Sequence, residues 1–238
     1  MKTLNTENKQ LIDTETLRAV KLSDVPANAL LINSTMVLRK KPDKLKEQIA
    51  DIYSPTIGAL SYSIVHQVAI IDRMHVRIID TVGAYLYQTY PSSLLAIYIK
   101  MPVKVMETCK IPSNIVYRIE KYIYGLPDSG RAYYLAYSTL LLNSGYTKSK
   151  SGPCLFLKFY PDSGDRIYIW VNVDDTFTAA TSIWLLDEFE TVVKSLFKIT
   201  VKSDVDLYLG IHFDYLPNGA CKNHAAKAIA RVVGRIQG

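Results

Sequence analysis

Three cysteines among 238 residues, Cys109, Cys154 and Cys221, are too few, odd in number and too far apart to suggest a disulfide framework or a cysteine-based zinc site. The four histidines, His66, His75, His212 and His224, lack the HExxH spacing of a helical zinc site. No stretch reaches the roughly 18 apolar residues that a membrane span requires. Residues 1–21 have no apolar core of the kind a secretory signal needs. These scarcities predict a soluble, intracellular protein in a reducing compartment, with no membrane partner.

What is present is ordinary for a globular chain. A content of 49% hydrophobic and 21% charged residues suffices for a sizeable core, in one large domain or two small ones. Lys and Arg outnumber Asp and Glu by 28 to 22, a net charge of +6 that suits an anionic partner, but the excess is diffuse and does not by itself select nucleic acid. Residues 1–27 are polar and helix-compatible with weak periodicity. Residues 28–215 form the main body, and 216–238 a divergent basic tail with Lys222, Lys227, Arg231 and Arg235 and no acid.

Within the body, residues 30–41 read as a strand. A turn at Pro42 and Asp43 then sets Arg39, Lys40, Lys41, Lys44 and Lys46 on one projecting element, either a phosphate-holding face or a solvated one. Residues 59–74 have helical spacing. The apolar strand 76–80 ends in Asp80, followed by Gly83, Ala84 and Tyr85, two small residues and an aromatic that suit either a pocket wall or plain packing. A strand at 95–101, the loop 125–130 with two glycines and a proline, and a helix at 131–143 stopped by Gly145 come next.

Residues 154–160 and 166–178 read as further strands, then an amphipathic helix at 183–197 with Ser182 as N-cap, and a short strand at 208–213. The order predicts an α+β fold with a split βαβ-like antiparallel sheet and helices on one face. In residues 166–178 an apolar run leads straight into Asp174 and Asp175, read as the tip of a hairpin. Adjacent carboxylates at the end of an apolar strand repel unless a cation sits between them. Hard oxygen donors select Mg²⁺ or Mn²⁺. A solvated Asp-Asp turn would have the same letters.

Five segments, in order, resemble motifs of the copia-type retrotransposon reverse transcriptases: Asp80-Thr81-Val82-Gly83-Ala84-Tyr85-Leu86; Tyr124-Gly125-Leu126 with Arg131-Ala132-Tyr133-Tyr134; Pro153-Cys154-Leu155-Phe156; Val173-Asp174-Asp175; and Tyr208-Leu209-Gly210-Ile211. The resemblance implies a right-hand polymerase palm with partial fingers over residues 28–215. It makes Asp80, Asp174 and Asp175 the catalytic carboxylates that hold two Mg²⁺ ions, with Mn²⁺ as a substitute. It makes Tyr85 a gate against the ribose 2′-hydroxyl, puts Lys46, Gly125 and Arg131 at the nucleotide, and sets Asn172 and Val173 on the primer side. The implied partners are an RNA or DNA template-primer, deoxynucleoside triphosphates and the remaining domains of a retrotransposon polyprotein, in the cytoplasm or a virus-like particle.

Three departures from the family pattern stand out. Asn172 replaces an aromatic residue; the basic segment before residues 53–56 is shortened, with Gln48 where an arginine is expected; and the likeness ends near Lys222, before the family's thumb, connection and ribonuclease H regions. Two readings follow. One is an RNA-directed DNA polymerase domain, and the other a truncated, inactive remnant that keeps the palm and binds nucleic acid. A metal-dependent nuclease or cyclase would also use paired aspartates, but leaves Tyr85 and the 125–131 loop without a role.

Overall fold

A computed structural model describes residues 15–33, 53–56, 59–203, 205, 207–208, 211–215 and 221–224. In chain order the elements are β1 (Leu17–Lys21), β2 (Leu30–Asn33), α1 (Ala59–Ile71), β3 (His75–Thr81), β4 (Ile97–Lys100), α2 (Val103–Thr108), β5 (Ile115–Ile119) and α3 (Ser129–Asn143). They continue with β6 (Thr147–Lys148), β7 (Leu155–Tyr160), β8 (Asp165–Asn172), β9 (Asp175–Ala180), α4 (Ile183–Lys194), β10 (Ile199–Lys202), β11 (Leu207–Tyr208), β12 (Ile211–Tyr215) and β13 (Cys221–His224). The result is a mixed α+β chain, as expected. It forms two compact units, each drawn from two separate stretches: residues 1–54 with 83–137, and residues 55–82 with 138–238.

The first unit is built on a four-stranded sheet in the order β1-β5-β4-β2. β5 runs antiparallel to both of its neighbours, whereas β2 is parallel to β4. Ile97 and Ile99 of β4 and Tyr117 and Ile119 of β5 bury together with Leu17, Tyr90, Tyr122 and Leu126 to form its core. β1 lies in the stretch read as helix-compatible. Only Leu17 among its five residues is buried, so an edge strand of this kind leaves no apolar alternation to detect. The basic turn at Pro42 and Asp43, with Lys46 and Gln48, lies outside the described residues.

The second unit holds a six-stranded antiparallel sheet, β10-β3-β9-β8-β7-β6, and a three-stranded one, β11-β12-β13. Strands β8 and β9 are buried on both faces: Ile167, Ile169 and Val171 point one way, and Trp170 and Phe177 the other. Both faces therefore carry a helix, which corrects the expectation of helices on one face. Arg77, Lys158 and Tyr160 share a face by register, and all three bond to acids of α4. On the opposite face the Phe177 ring meets His66 of α1 edge-on at 6.0 Å, and Arg166 pairs with Asp72 just beyond that helix.

Helix α4 starts where expected, after Ser182. The Ser182 hydroxyl, however, makes no bond to the helix; it donates to Asp165 Oδ1 at 2.6 Å and ties the helix start to the β7–β8 turn. Gly145, at φ +83, carries the chain out of the end of α3 into β6, the stop its sequence position predicts.

Candidate active site

Asp80 is the last residue but one of β3, where the apolar pair Ile78 and Ile79 has just anchored the strand in the sheet. It is exposed, and its cross-strand partners are Asp175 on β9 and Thr200 on β10. Side chains directly opposite on an antiparallel pair share a face and approach closely. The Thr200 hydroxyl donates to Asp80 Oδ2 at 3.3 Å. Nothing in the sequence near Asp80 pointed to Thr200, which lies 120 positions away.

The β8–β9 hairpin closes on the pair Asn172 and Asp175, so its tip is the two-residue turn Val173-Asp174. The expectation of both aspartates at the tip is thereby corrected: Asp175 opens β9 and sits in the ladder between Asn172 and Asp80. Val173 has φ +54. A two-residue hairpin turn needs a positive φ at its first position, which a β-branched residue adopts only under strain of order 1–3 kcal/mol. The Thr81 N–H donates to the Asp174 carbonyl at 2.9 Å and fastens the tip to the end of β3.

Burial, then the nearby Asp174 and Asp80 charges, push the Asp175 carboxyl above the ordinary carboxylate range. The three acids therefore feel one another, and their all-oxygen donor chemistry fits a hard divalent cation. Among the described residues no three His, Cys, Asp or Glu side chains are gathered into a group able to hold a metal ion. Asp80 and Asp175 are neighbours on adjacent strands and Asp174 lies in the turn beside them, and the three are not drawn into a closed cage.

Tyr85, Gly125 and Arg131 belong to the first unit, whereas Asp80, Asn172, Val173, Asp174 and Asp175 belong to the second. Gly83, at φ +66, starts a single 3₁₀ turn, Ala84–Tyr87. From that turn the half-buried Tyr85 ring leans on Tyr124 at 4.3 Å and meets Tyr133 edge-on at 6.3 Å. Gly125 has φ +100, which glycine alone adopts freely. Arg131, in the first turn of α3, donates to the Tyr53 carbonyl at 3.4 Å. Gly130 leaves room for Ser54, since an added Cβ would come within 3.2 Å of the Ser54 Cβ.

The loop between β5 and α3 is fastened by two bonds that the sequence did not announce. The Tyr122 hydroxyl donates to Asp128 Oδ2 at 2.9 Å, and the Ser129 hydroxyl to the Ile123 carbonyl at 2.6 Å. Asp128 is buried, and its Oδ1 has no hydrogen-bond partner among the described residues. Burial and then the Asp128 charge raise the Tyr90 hydroxyl to about 12, and Tyr122 is raised further for the same causes together with its bond to Asp128.

Comparison with known proteins is consistent with these motifs. A sequence model of the family described as reverse transcriptase (RNA-dependent DNA polymerase) matches residues 19–237. Two curated relatives from Arabidopsis thaliana, the retrovirus-related Pol polyproteins from transposons RE2 and RE1, are 29% and 28% identical over 170 residues, which is 71% of this chain. The aligned stretch spans only 11% of the length of either relative.

Proposed function

The chain belongs to the copia-type retrotransposon branch of the reverse transcriptase (RNA-dependent DNA polymerase) family, and on that premise we propose that it is a palm with partial fingers that extends a DNA primer along an RNA template. The observation that carries this reading is the register of three strand ends. Asp80 lies across from Asp175, Asp175 across from Asn172, and Asp174 sits in the turn bonded to Thr81.

In this reading Asp80, Asp174 and Asp175 supply hard oxygen donors for Mg²⁺ or Mn²⁺, and the burial of Asp175 together with the nearby Asp174 and Asp80 charges favours taking up a cation. Bound metal would supply activation of the primer 3′-hydroxyl and neutralisation of the leaving pyrophosphate. Tyr85 excludes a ribose 2′-hydroxyl by its bulk, Gly125, Arg131 and Lys46 contact the nucleotide, and Asn172 and Val173 flank the primer end. The template-primer, the deoxynucleoside triphosphates and the rest of a polyprotein are the partners this reading requires, in the cytoplasm or a virus-like particle. Among the described residues no helix is long and apolar enough to cross a membrane.

A second reading, an inactive remnant that keeps the fold and binds nucleic acid, rests on the shortened basic segment before residues 53–56 and on Asn172 in place of an aromatic residue. Primer extension separates the two. On poly(rA) with oligo(dT), dTTP and Mg²⁺ or Mn²⁺, the chain should extend the primer, and Asp174→Asn should abolish extension without loss of folding. A folded wild-type chain that fails with either metal supports the remnant. Full activity in the variant removes Asp174 from the chemistry.

A further inference from the structure

Strand β10 lies at the edge of the six-stranded sheet, next to β3. Its register sets Thr200 opposite Asp80, so the two side chains leave the sheet on the same face. The Thr200 hydroxyl then reaches Asp80 Oδ2 at 3.3 Å. The neighbours Ile199 and Val201 lie opposite Thr81 and Ile79, which point to the other face. A shift of one residue along β10 would replace the hydroxyl beside Asp80 with an apolar side chain. The position of the hydroxyl beside Asp80 is thus set by the sheet register, and the bond itself joins two exposed side chains.

We propose that Thr200 is a positioning residue for Asp80. It holds one carboxylate oxygen so that the remaining acceptor positions face a divalent cation in a set orientation. The inference rests on the proposed metal-dependent reading of Asp80. A carboxylate on an exposed strand end rotates about its χ angles and presents its oxygens in many directions. One hydrogen bond from a residue fixed by backbone pairing removes much of that freedom before the ligand arrives. Groups that hold ligating side chains in this way change metal affinity when removed, by about tenfold or more.

The pairing of β10 with β3 gives that strand a role beyond covering an edge. It brings a group from beyond α4 to an acid that precedes α2, and the intervening helices need take no part. Threonine suits the position for two reasons. Its β-branched side chain favours the strand, and its hydroxyl is held on a stiff χ1.

The test is Mn²⁺ binding followed by the loss of the free-ion electron paramagnetic resonance signal, a readout independent of catalysis. Wild type, Thr200→Val, Thr200→Ser and Asp80→Asn are compared, with circular dichroism melts to establish that each is folded. Thr200→Val keeps the branched shape and should weaken Mn²⁺ binding about tenfold. Thr200→Ser should stay within about twofold of wild type, because it keeps the donor, and Asp80→Asn should lose the site.

If Thr200→Val binds like wild type while Asp80→Asn loses binding, Thr200 has no positioning role and the metal reading of Asp80 stands. If Asp80→Asn also binds like wild type, or the wild type binds no Mn²⁺, the reading of Asp80 as a ligand fails and the role of Thr200 goes with it. An equal loss in Thr200→Ser and Thr200→Val would mean that binding responds to any change at this position and not to the hydroxyl in particular, and would overturn the proposal.

Discussion

Val173 is the residue at which local preference and fold disagree most plainly. It follows the eight residues of β8 and is set at φ +54 by the two-residue turn that brings Asp174 beside Thr81. Glycine would adopt this conformation without strain, losing some backbone entropy and the contacts of one half-buried side chain. Val173→Gly should therefore raise stability by about 1 kcal/mol, the strain relieved less the entropy lost. Urea denaturation would show this as a higher midpoint at an unchanged slope, and a lower midpoint would mean that the turn is not strained.

At this scale much of the candidate centre was legible. Acids at the ends of apolar strands are visible as letters; Asp80 and Asp175 are neighbours in register, and Asp174 lies in the adjoining turn bonded to Thr81. What could not be read was their setting. Whether an Asp-Asp pair forms a tip or straddles the turn and the strand depends on which residue closes the ladder, and Asn172 does so here. Thr200 and the Asp128–Tyr122 bond were invisible for a related reason. Each is a contact between side chains whose approach is set by pairing or packing of whole elements, and none of it is carried by local periodicity.

At the scale of elements, α4 is held to the sheet by a polar cluster at the rim of its apolar face. Leu185, Leu186, Phe189 and Val193 bury against the sheet side. At the rim, Glu188 accepts from Lys158 Nζ and from the Tyr160 hydroxyl, both at 2.7 Å. Lys158 Nζ lies 5.1 Å from the centres of the Tyr146 and Tyr160 rings, close enough for cation–π attraction.

Burial raises the Glu188 carboxyl, but Lys158 and Tyr160 together outweigh it and hold the group below its ordinary value of 4.5. A carboxylate depressed in the folded state stabilises above its unfolded value, and that contribution is lost as pH falls through the folded one. Glu188→Gln should thus cost about 1 kcal/mol near neutral pH, allowing for solvent screening of a partly exposed pair. The gap to wild type should close as the pH falls below the ordinary carboxylate range. Thermal melts of both proteins across the acid range measure it, and a constant gap would assign the loss to shape instead of charge.

Long elements were legible and short ones were not. The helices α1, α3 and α4 and the β8–β9 hairpin carry enough residues for spacing or β-branched content to stand out. The six-residue α2 and two-residue β6 do not. Helix placement on both faces of the second sheet was missed because β8 and β9 are buried on each side. A continuous apolar run says that a strand is covered twice but does not say by what.

At the scale of the whole molecule the two compact units are interleaved in sequence, and this has a consequence for how the chain can be divided. The second unit takes most of its sheet from residues 138–238, but β3 comes from residues 55–82 and lies between β10 and β9. The pair Asp80 and Asp175 joins positions roughly 95 residues apart. Such pairing makes folding slow, because long loops must close before contacts reward them.

A fragment of residues 138–238 would lack β3, leaving β9 and β10 with unpaired backbone groups and removing the fully buried Ile79 from the sheet. Expressed alone, it should aggregate or melt without a cooperative transition, whereas the full chain should melt cooperatively. A fragment that melts sharply would show that β3 is added to a sheet already formed. The same interleaving bears on Asp80. This acid reaches Asp175 and Thr200 only because β3 is inserted between strands that arise about a hundred residues later. In this fold the centre proposed for metal and the most demanding pairing of the sheet are therefore one construction, and the stability of the β3 insertion sets how well the three acids are kept together.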